Sequence, residues 1–437
     1  MIHRFAPCLL ILLLFIGCTP SPSTPGHPLA GSVPPASSAK RVLGTGPALA
    51  SIRREPILRV RVATGQHQVR ITATGLIQIA AGPGQTARSL TPPLTIERQS
   101  SRWLIREARG RTLTWPTANL YLTGANGGTL QLGAEASGAH YPGQLVLVAD
   151  RDASRFHVVN HVPLERYLPG VIYRELYPGW HPQTFEAQAI AARSYALWEM
   201  TLRPSRAWDL ESTTASQAYI GLTDHAKANH AVAATRGMVL AYQGHVVPAF
   251  YCSTVGRIAQ DAVVAFPGRI ANIAPLVGGP RGNWDQASPH DRWTITRRKE
   301  DLARRLAGWG RARHHPIAHL SGLQRISVSR RTRSGQRAAA VMITDAQRQL
   351  YELPAESFRQ AANYAGQGLP ALPKNQRLKS SQVEINIGPT TITFLGQGFG
   401  HGVGMSQFGA QAMAKAGYQA PAILKVYYPG AAISRAY

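Results

Sequence analysis

The chain has 437 residues, with 47 Lys+Arg against 22 Asp+Glu and a formal net charge of +25. Its 44% apolar content excludes wholesale disorder, and its length admits two or three domains at about 150 residues each. Only 16% of residues are charged, against roughly 25% in an ordinary soluble domain, so the imbalance reflects missing acids as much as added bases. Such a balance points to a polyanionic partner: nucleic acid, anionic lipid or a cell-wall polymer.

Residues 1–18 (MIHRFAPCLLILLLFIGC) carry Arg4 and then an apolar run from Leu9 to Ile16. The run is shorter than the about 20 apolar residues of a membrane span and reads as the core of an export signal. It ends in Gly17-Cys18, the small-residue-then-cysteine pattern of a bacterial lipoprotein processing site. The expectation is an exported protein of the cell envelope, held to a membrane by lipidation of Cys18 on the periplasmic side. Thr19 after it permits sorting to an outer membrane. Cys8 then leaves with the signal and Cys18 is acylated, so Cys252 stands alone. This excludes an internal disulfide and a cysteine-rich metal site, and it turns the expected partner from nucleic acid to the wall.

Residues 19–54, rich in Pro, Ser, Gly and Ala, read as an extended linker. Residues 55–154 read as a small antiparallel β domain. ILRVRVAT (57–64), HQVRITATG (67–75), SRWLIRE (101–107) and QLVLVAD (144–150) show period-two alternation, as in Val60 and Val62 against Arg59 and Arg61. Residues 155–437 read as one mixed domain of helices and strands, so the fold class is α+β.

Within it a helix is expected over 163–176, from the spacing of Leu164, Tyr167, Leu168, Val171 and Ile172, with Gly170 as an irregularity. A second helix over 182–200 starts at Pro182 and lines one face with Phe185, Ala189, Ala192 and Ala196. A third spans 225–237; strands follow at 238–243 and 246–253, and RRTRSGQR (330–337) reads as an exposed loop or hairpin.

Four segments carry the chemistry. The first is Leu164–Glu175 with the helix containing Gln188, Arg193, Ser194 and Tyr195. The second is Thr213-Thr214-Ala215-Ser216-Gln217-Ala218-Tyr219. The third is Tyr251-Cys252-Ser253-Thr254. The fourth is Gly398-Phe399-Gly400-His401-Gly402-Val403-Gly404-Met405-Ser406-Gln407. In this order, over about 155–437, they resemble the stage II sporulation protein D family, which includes the amidase-enhancer proteins.

The resemblance implies action on peptidoglycan as a lytic transglycosylase, which cleaves the MurNAc–GlcNAc bond and leaves a 1,6-anhydro sugar, with Glu175 as the catalytic acid. It also implies a cell-wall amidase as partner. Some members bind zinc through Cys and His around the paired threonines. Here Ala215 and Ser216 follow them, so no metal and no cofactor is expected. The expected substrate-binding residues are Gln188, Arg193, Ser194, Tyr195, Thr213, Gln217, Tyr219, Tyr251, Ser253, Thr254, His401, Gly402, Ser406 and Gln407.

The residues by themselves allow this chemistry. Hydrolytic glycosidases generally use two carboxylates, whereas a lytic transglycosylase can use one, because the sugar's own C6 hydroxyl attacks. That acid needs a raised pKa, for which Val171, Ile172, Leu176 and Tyr177 offer apolar surroundings, with Arg174 directed away. A solvated helix end is the alternative for Glu175. Glu165 and Glu186 lie in first helical turns, where a carboxylate complements the helix dipole. Arg193 reads equally as a structural ion-pair partner, and Tyr219 and Tyr251 equally as buried rings. Alternate glycines from Gly396 to Gly404 allow left-handed backbone and close approach, with His401 as a substrate ligand or loop anchor and Ser406 as a helix cap. Cys252 lacks an activating partner and reads as a small buried side chain. A wall-binding protein that stimulates an amidase without catalysis is the second functional reading, and an adhesin for anionic polymers a third.

Overall fold

The computed structural model describes residues 46–133, 138–152, 154–333, 337–366 and 368–437. The export signal, Cys18 and most of the linker lie outside the described residues. These residues fall into two compact units, one of 46–251 with 409–437 and the other Cys252–Phe408.

The first unit holds two large sheets and a small one ordered His245–Val246, Met238–Tyr242 and Ala432–Arg435. In one large sheet, the strands run in the spatial order Leu210–Glu211, Ile57–Gln66, Phe156–Pro163, Gln144–Ala149, Asn119–Gly124, Ile77–Ala80 and Arg88–Leu90. The other orders Ala139–Tyr141, Leu130–Leu132, Gln68–Thr72, Leu94–Gln99, Arg102–Glu107 and Thr112–Trp115. Alternation drives both: Leu58, Val60, Ile77, Ile79, Leu94, Ile96, Trp103, Ile105, Leu120 and Leu122 are buried in one core. Pairing is antiparallel except between Val60-Arg61 and Leu210-Glu211, which run parallel. There Arg59 and Arg61 meet Asp209 and Glu211 at 2.6 and 2.7 Å.

The same core takes in three helices, α1 (Leu164–Glu175), α2 (Pro182–Leu202) and α3 (Ala226–Ala234), through Leu164, Tyr167, Leu168, Val171, Phe185, Ala189, Ala192, Ala196 and Val232. The α+β class holds, but the expected division at 154/155 is not where the compact units part. The β-rich segment buries its apolar face on α1 and α2, so they share one core. Gly170 is accommodated in α1 because the helix passes so close to Gly221 that a Cβ would meet its carbonyl oxygen at 2.0 Å. The third helix ends three residues earlier than expected, before Gly237 at φ +70. The strand expected over 246–253 is broken into His245–Val246 and Tyr251–Cys252, since Pro248 supplies no amide donor.

In the Cys252–Phe408 unit, α4 (Ala262–Ala265) precedes a sheet ordered Trp293–Arg298, Thr391–Gly396, Val383–Ile387, and α5 (Lys299–Arg311) follows its first strand. A second sheet orders Arg325–Arg331, Ala338–Thr344 and Leu350–Pro354, followed by α6 (Ala355–Ala362). Ile295, Leu302, Leu306, Val341, Phe358 and Phe394 form its core. Arg330 and Arg331 end one strand and Ala338 opens its antiparallel partner, yet Arg337 is fully buried rather than exposed. The chain then continues through α7 (Gln407–Lys415) and α8 (Ala420–Tyr427).

Candidate functional site

Glu175 is the last residue of α1 and half-buried. Val171, Ile172 and Leu176 beside it are buried, as an apolar setting requires, whereas Tyr177 is exposed and packs on Trp180 at 5.2 Å between ring centroids. Arg174 is exposed, as expected. Burial holds the Tyr167 and Tyr251 phenols well above their ordinary range, and the Glu175 charge adds to this, second after burial at Tyr251 and behind Tyr219 and Tyr195 at Tyr167.

Those two phenols are joined by Gln217. The Tyr167 hydroxyl donates to Gln217 Oε1 at 3.2 Å, and Gln217 Nε2 donates to the Tyr251 hydroxyl at 3.0 Å and to the Ala192 carbonyl at 3.2 Å. Gln217 is buried and Tyr251 half-buried, so the glutamine is the inner link of the two phenols. Tyr195 lies beside Tyr251, rings 6.4 Å apart, and donates to buried Glu199 at 2.9 Å. Glu175, Tyr167, Tyr195, Gln217 and Tyr251 thus form one polar cluster over an alanine-rich helix, whose small side chains let these rings close on it.

Other expected ligands take structural places. Arg193 is 0% exposed and pairs with Glu165 through Nε at 2.9 Å and Nη2 at 2.8 Å, so the sugar-binding role gives way to a buried ion pair. Glu165 is correspondingly more than a helix-dipole complement. Burial alone would raise its pKa, but Arg193, the Tyr437 hydroxyl and the Gly237 amide together hold it below the ordinary carboxylate value. Ser194 is buried between the Ile190 carbonyl, to which it donates, and the Leu240 amide, from which it accepts, both at 2.8 Å. Gln188 is buried with neither amide atom hydrogen-bonded. Tyr219 is buried against Tyr167, 4.6 Å between centroids, and donates to Asn160 at 3.0 Å. Thr213 is exposed in a turn, its hydroxyl accepting from the Ala215 amide at 3.3 Å.

The glycine-rich loop belongs to the Cys252–Phe408 unit. Gly398, Gly400, Gly402 and Gly404 all have positive φ, between +71 and +110. A Cβ on Gly400 would lie 2.7 Å from that of Cys252. Thr254 is buried and exchanges backbone hydrogen bonds with Phe399 at 3.1 and 3.0 Å. Ser253 accepts from the Phe408 amide at 3.1 Å. Ser406 is buried, its hydroxyl donating to Asp285, which also accepts from the Gly256 amide at 2.9 Å. Gln407 is buried as well. Thr254 and Ser406 therefore build the loop's support. His401 is half-buried, edge-on to Phe266 at 5.2 Å, and its Nδ1 accepts from the Val403 amide at 3.0 Å. Burial pushes the Cys252 thiol up to about 12, which suits a packed side chain and not a nucleophile. Among the described residues no group of three His, Cys, Asp or Glu is placed to hold a metal.

Residues 152–242, which carry α1, α2 and the Gln217 segment, match the family model described as Stage II sporulation protein. That match and the curated relatives support the stage II sporulation protein D family. It is 27% identical over 295 residues to the amidase enhancer of Bacillus subtilis (strain 168), covering 61% of this chain and 40% of that relative. It is 28% identical over 297 residues to the stage II sporulation protein D of Bacillus amyloliquefaciens, covering 64% and 76%. An uncharacterized protein of Brachyspira hyodysenteriae is 27% identical over 302 residues. The chain thus spans 40% of the length of the amidase enhancer. Residues 280–404, including His401, match a domain of unknown function.

Sequence reasoning missed Glu199, Asp285 and Arg337. Glu199 sits four residues after Tyr195, a helical spacing that brings a carboxylate under a phenol and could have drawn notice. Asp285 and Arg337 have no such local signal, because their partners lie far away in the chain.

Proposed function

We propose that this protein cleaves peptidoglycan glycan strands between MurNAc and GlcNAc by a lytic transglycosylase mechanism. The observation that carries this reading is the half-buried Glu175 carboxylate, flanked by apolar residues and electrostatically coupled to the Tyr167–Gln217–Tyr251 cluster. As an acid, Glu175 gives its proton to the glycosidic oxygen while the bond from C1 of MurNAc to that oxygen breaks. The C6 hydroxyl of the same MurNAc then attacks C1, and its proton passes to the Glu175 carboxylate. The products are a 1,6-anhydro-MurNAc end and a free GlcNAc hydroxyl; no water is consumed and the acid is regenerated. Buried Val171, Ile172 and Leu176 give the acid the apolar setting that a proton donor at neutral pH requires. Tyr251, oriented by Gln217, is the donor for a sugar oxygen. Export and lipidation of Cys18, which would put the protein beside the wall with its +25 charge facing an anionic polymer, belong to the same proposal.

The amidase enhancer among the relatives supports a second reading, a wall-binding protein that stimulates a cell-wall amidase. The two separate in one experiment: purified glycan strands incubated with the protein and analysed by mass spectrometry. Catalysis predicts anhydro-ended fragments that accumulate with time. Strands that co-sediment with the protein yet keep their length would establish the second reading instead.

A further inference from the structure

A groove of about 480 Å³ runs between α5 and residues 320–323, inside the Cys252–Phe408 unit. That size falls in the range of about 300–1,000 Å³ common to ligand sites. Helical spacing sorts α5 into two faces. Leu302, Leu306 and Trp309 enter the core of the unit. Residues 300, 303, 304, 307 and 311 share the opposite stripe and line the groove. Ala303 and Ala307 are only 8% exposed there and make an apolar floor, with Leu320 and Leu323 as the facing wall. The wall is fixed in place. Ser321 donates to Asp345 through its hydroxyl at 2.9 Å and its amide at 3.4 Å, and the Gln324 amide donates to the Thr344 carbonyl at 2.9 Å. With both sides held, little ordering remains for a ligand to impose.

Three charges stand along the rim: Glu300, Arg304 and Arg311, all exposed. Arg305, on the inner side of the helix, is engaged by Asp301 at 3.2 Å and by the Tyr364 and Pro370 carbonyls at 2.6 and 3.0 Å. Asp301 also accepts from Arg297, and Arg304 reaches it only at 3.9 Å, beyond hydrogen-bond length. Glu300 and Arg311 enter no ion pair among the described residues. At about 1.5 Å per residue, Glu300 is about 6 Å from Arg304 along the axis, and Arg304 about 10 Å from Arg311. A complementary occupant carries one amine and two carboxylates spread over about 16 Å, and presents methyl-sized groups to Ala303 and Ala307. Four extended residues span about 13 Å, and the long arms of Glu300 and Arg311 close the difference.

We propose that this groove binds a short acidic peptide with alanine-sized side chains, and that its occupant in the wall is the stem peptide of peptidoglycan. Carboxylates lie against Arg304 and Arg311, an amine against Glu300, and alanine methyls on the floor. Two cations against one anion favour a ligand of net negative charge. A neutral sugar uses none of the three charges, and a polyanion without an amine is repelled at Glu300. The choice of the stem peptide rests on the peptidoglycan reading above. It gives the Cys252–Phe408 unit a binding function for strands that still carry their peptides.

The test is titration calorimetry of the full chain with the N-acetylated tetrapeptide L-Ala-γ-D-Glu-diaminopimelate-D-Ala. The same peptide with its carboxylates amidated, the α-linked all-L peptide Ala-Glu-Lys-Ala and N-acetylglucosamine are titrated beside it. The tetrapeptide should bind once per chain and N-acetylglucosamine should give no heat. Amidation should weaken binding about tenfold, from two rim contacts of about threefold each. The double variant Arg304→Gln with Arg311→Gln should show the same loss for the tetrapeptide and none for the amidated peptide, while lysine at both positions retains most of the affinity. Methyl NMR of leucine-labelled protein, assigned with Leu320→Met and Leu323→Met, should show both wall leucines moving. Both arginines are exposed, and matched melting temperatures confirm that the variants fold.

Absence of binding by the tetrapeptide would overturn the proposal, as would binding indifferent to amidation or to the double substitution, or methyl shifts that leave Leu320 and Leu323 unmoved. Tighter binding of all-L Ala-Glu-Lys-Ala would assign the groove to a protein segment and overturn the wall peptide as its occupant. The readout is binding of an isolated peptide, so failure of the glycan-cleavage reading leaves the titration interpretable, and a failed titration leaves that reading standing.

Discussion

Arg193 and Glu165 form a two-armed ion pair, with bonds of 2.9 and 2.8 Å and the arginine wholly buried. The pair ties α2 to the start of α1, at the opposite end of that helix from Glu175, and the Gly237 amide and Tyr437 hydroxyl complete the carboxylate's shell. It is therefore a device that orients α1, and through it the helix end that presents Glu175.

Removing one partner leaves a buried charge uncompensated. Arg193→Met should cost about 3–5 kcal/mol of stability, measured by denaturant unfolding. A double substitution, Arg193→Met with Glu165→Gln, should recover part of that loss, since no lone charge remains.

The pair also has a pH signature. Because the folded-state pKa of Glu165 is lowered, its contribution to stability is present above the unfolded carboxylate value. It is lost as pH falls through the lower folded value. Melting temperature against pH should show this acid-side loss in wild type, and Glu165→Gln should flatten it.

Gly402→Ala and Gly417→Ala separate backbone strain from collision. Both glycines have positive φ, +76 and +92, but a Cβ at Gly417 meets nothing within 4 Å while one at Gly402 strikes the Arg337 guanidinium. Gly417→Ala should cost about 1–3 kcal/mol from strain. Gly402→Ala should cost more. Equal losses in chemical unfolding would contradict the close fit of loop on arginine.

Cys252 is buried with its thiol pushed up to about 12, so it should resist alkylation in the native protein at neutral pH. Peptide mapping after iodoacetamide treatment should find this cysteine unmodified until denaturant is added.

Much of this architecture was legible from side-chain period. Leu58 and Val60 announced a half-buried strand, and Pro182 with the alanines after it announced α2, because these signals act within a few residues. The buried pairings were not legible. Glu165 is 28 residues from Arg193, and nothing in either helix says that they face each other across the core. Arg337 sits in a run of arginines that reads as a solvated loop. Its burial depends on carbonyls 82 and 79 residues away and on a glycine 65 residues later. The shared core was not legible for a related reason: composition changes near 154, but the β sheets and α1–α2 cover one another's apolar faces.

The central claim is that Glu175 performs proton transfer in glycan cleavage. The most direct measurement is the rate of anhydro-muropeptide release from purified glycan strands by wild type and by Glu175→Gln, a near-isosteric change that removes the titratable proton. The account predicts that release falls by about 10²–10⁴-fold, the usual worth of general acid–base catalysis, with strand binding retained. Release continuing at the wild-type rate in Glu175→Gln would contradict it.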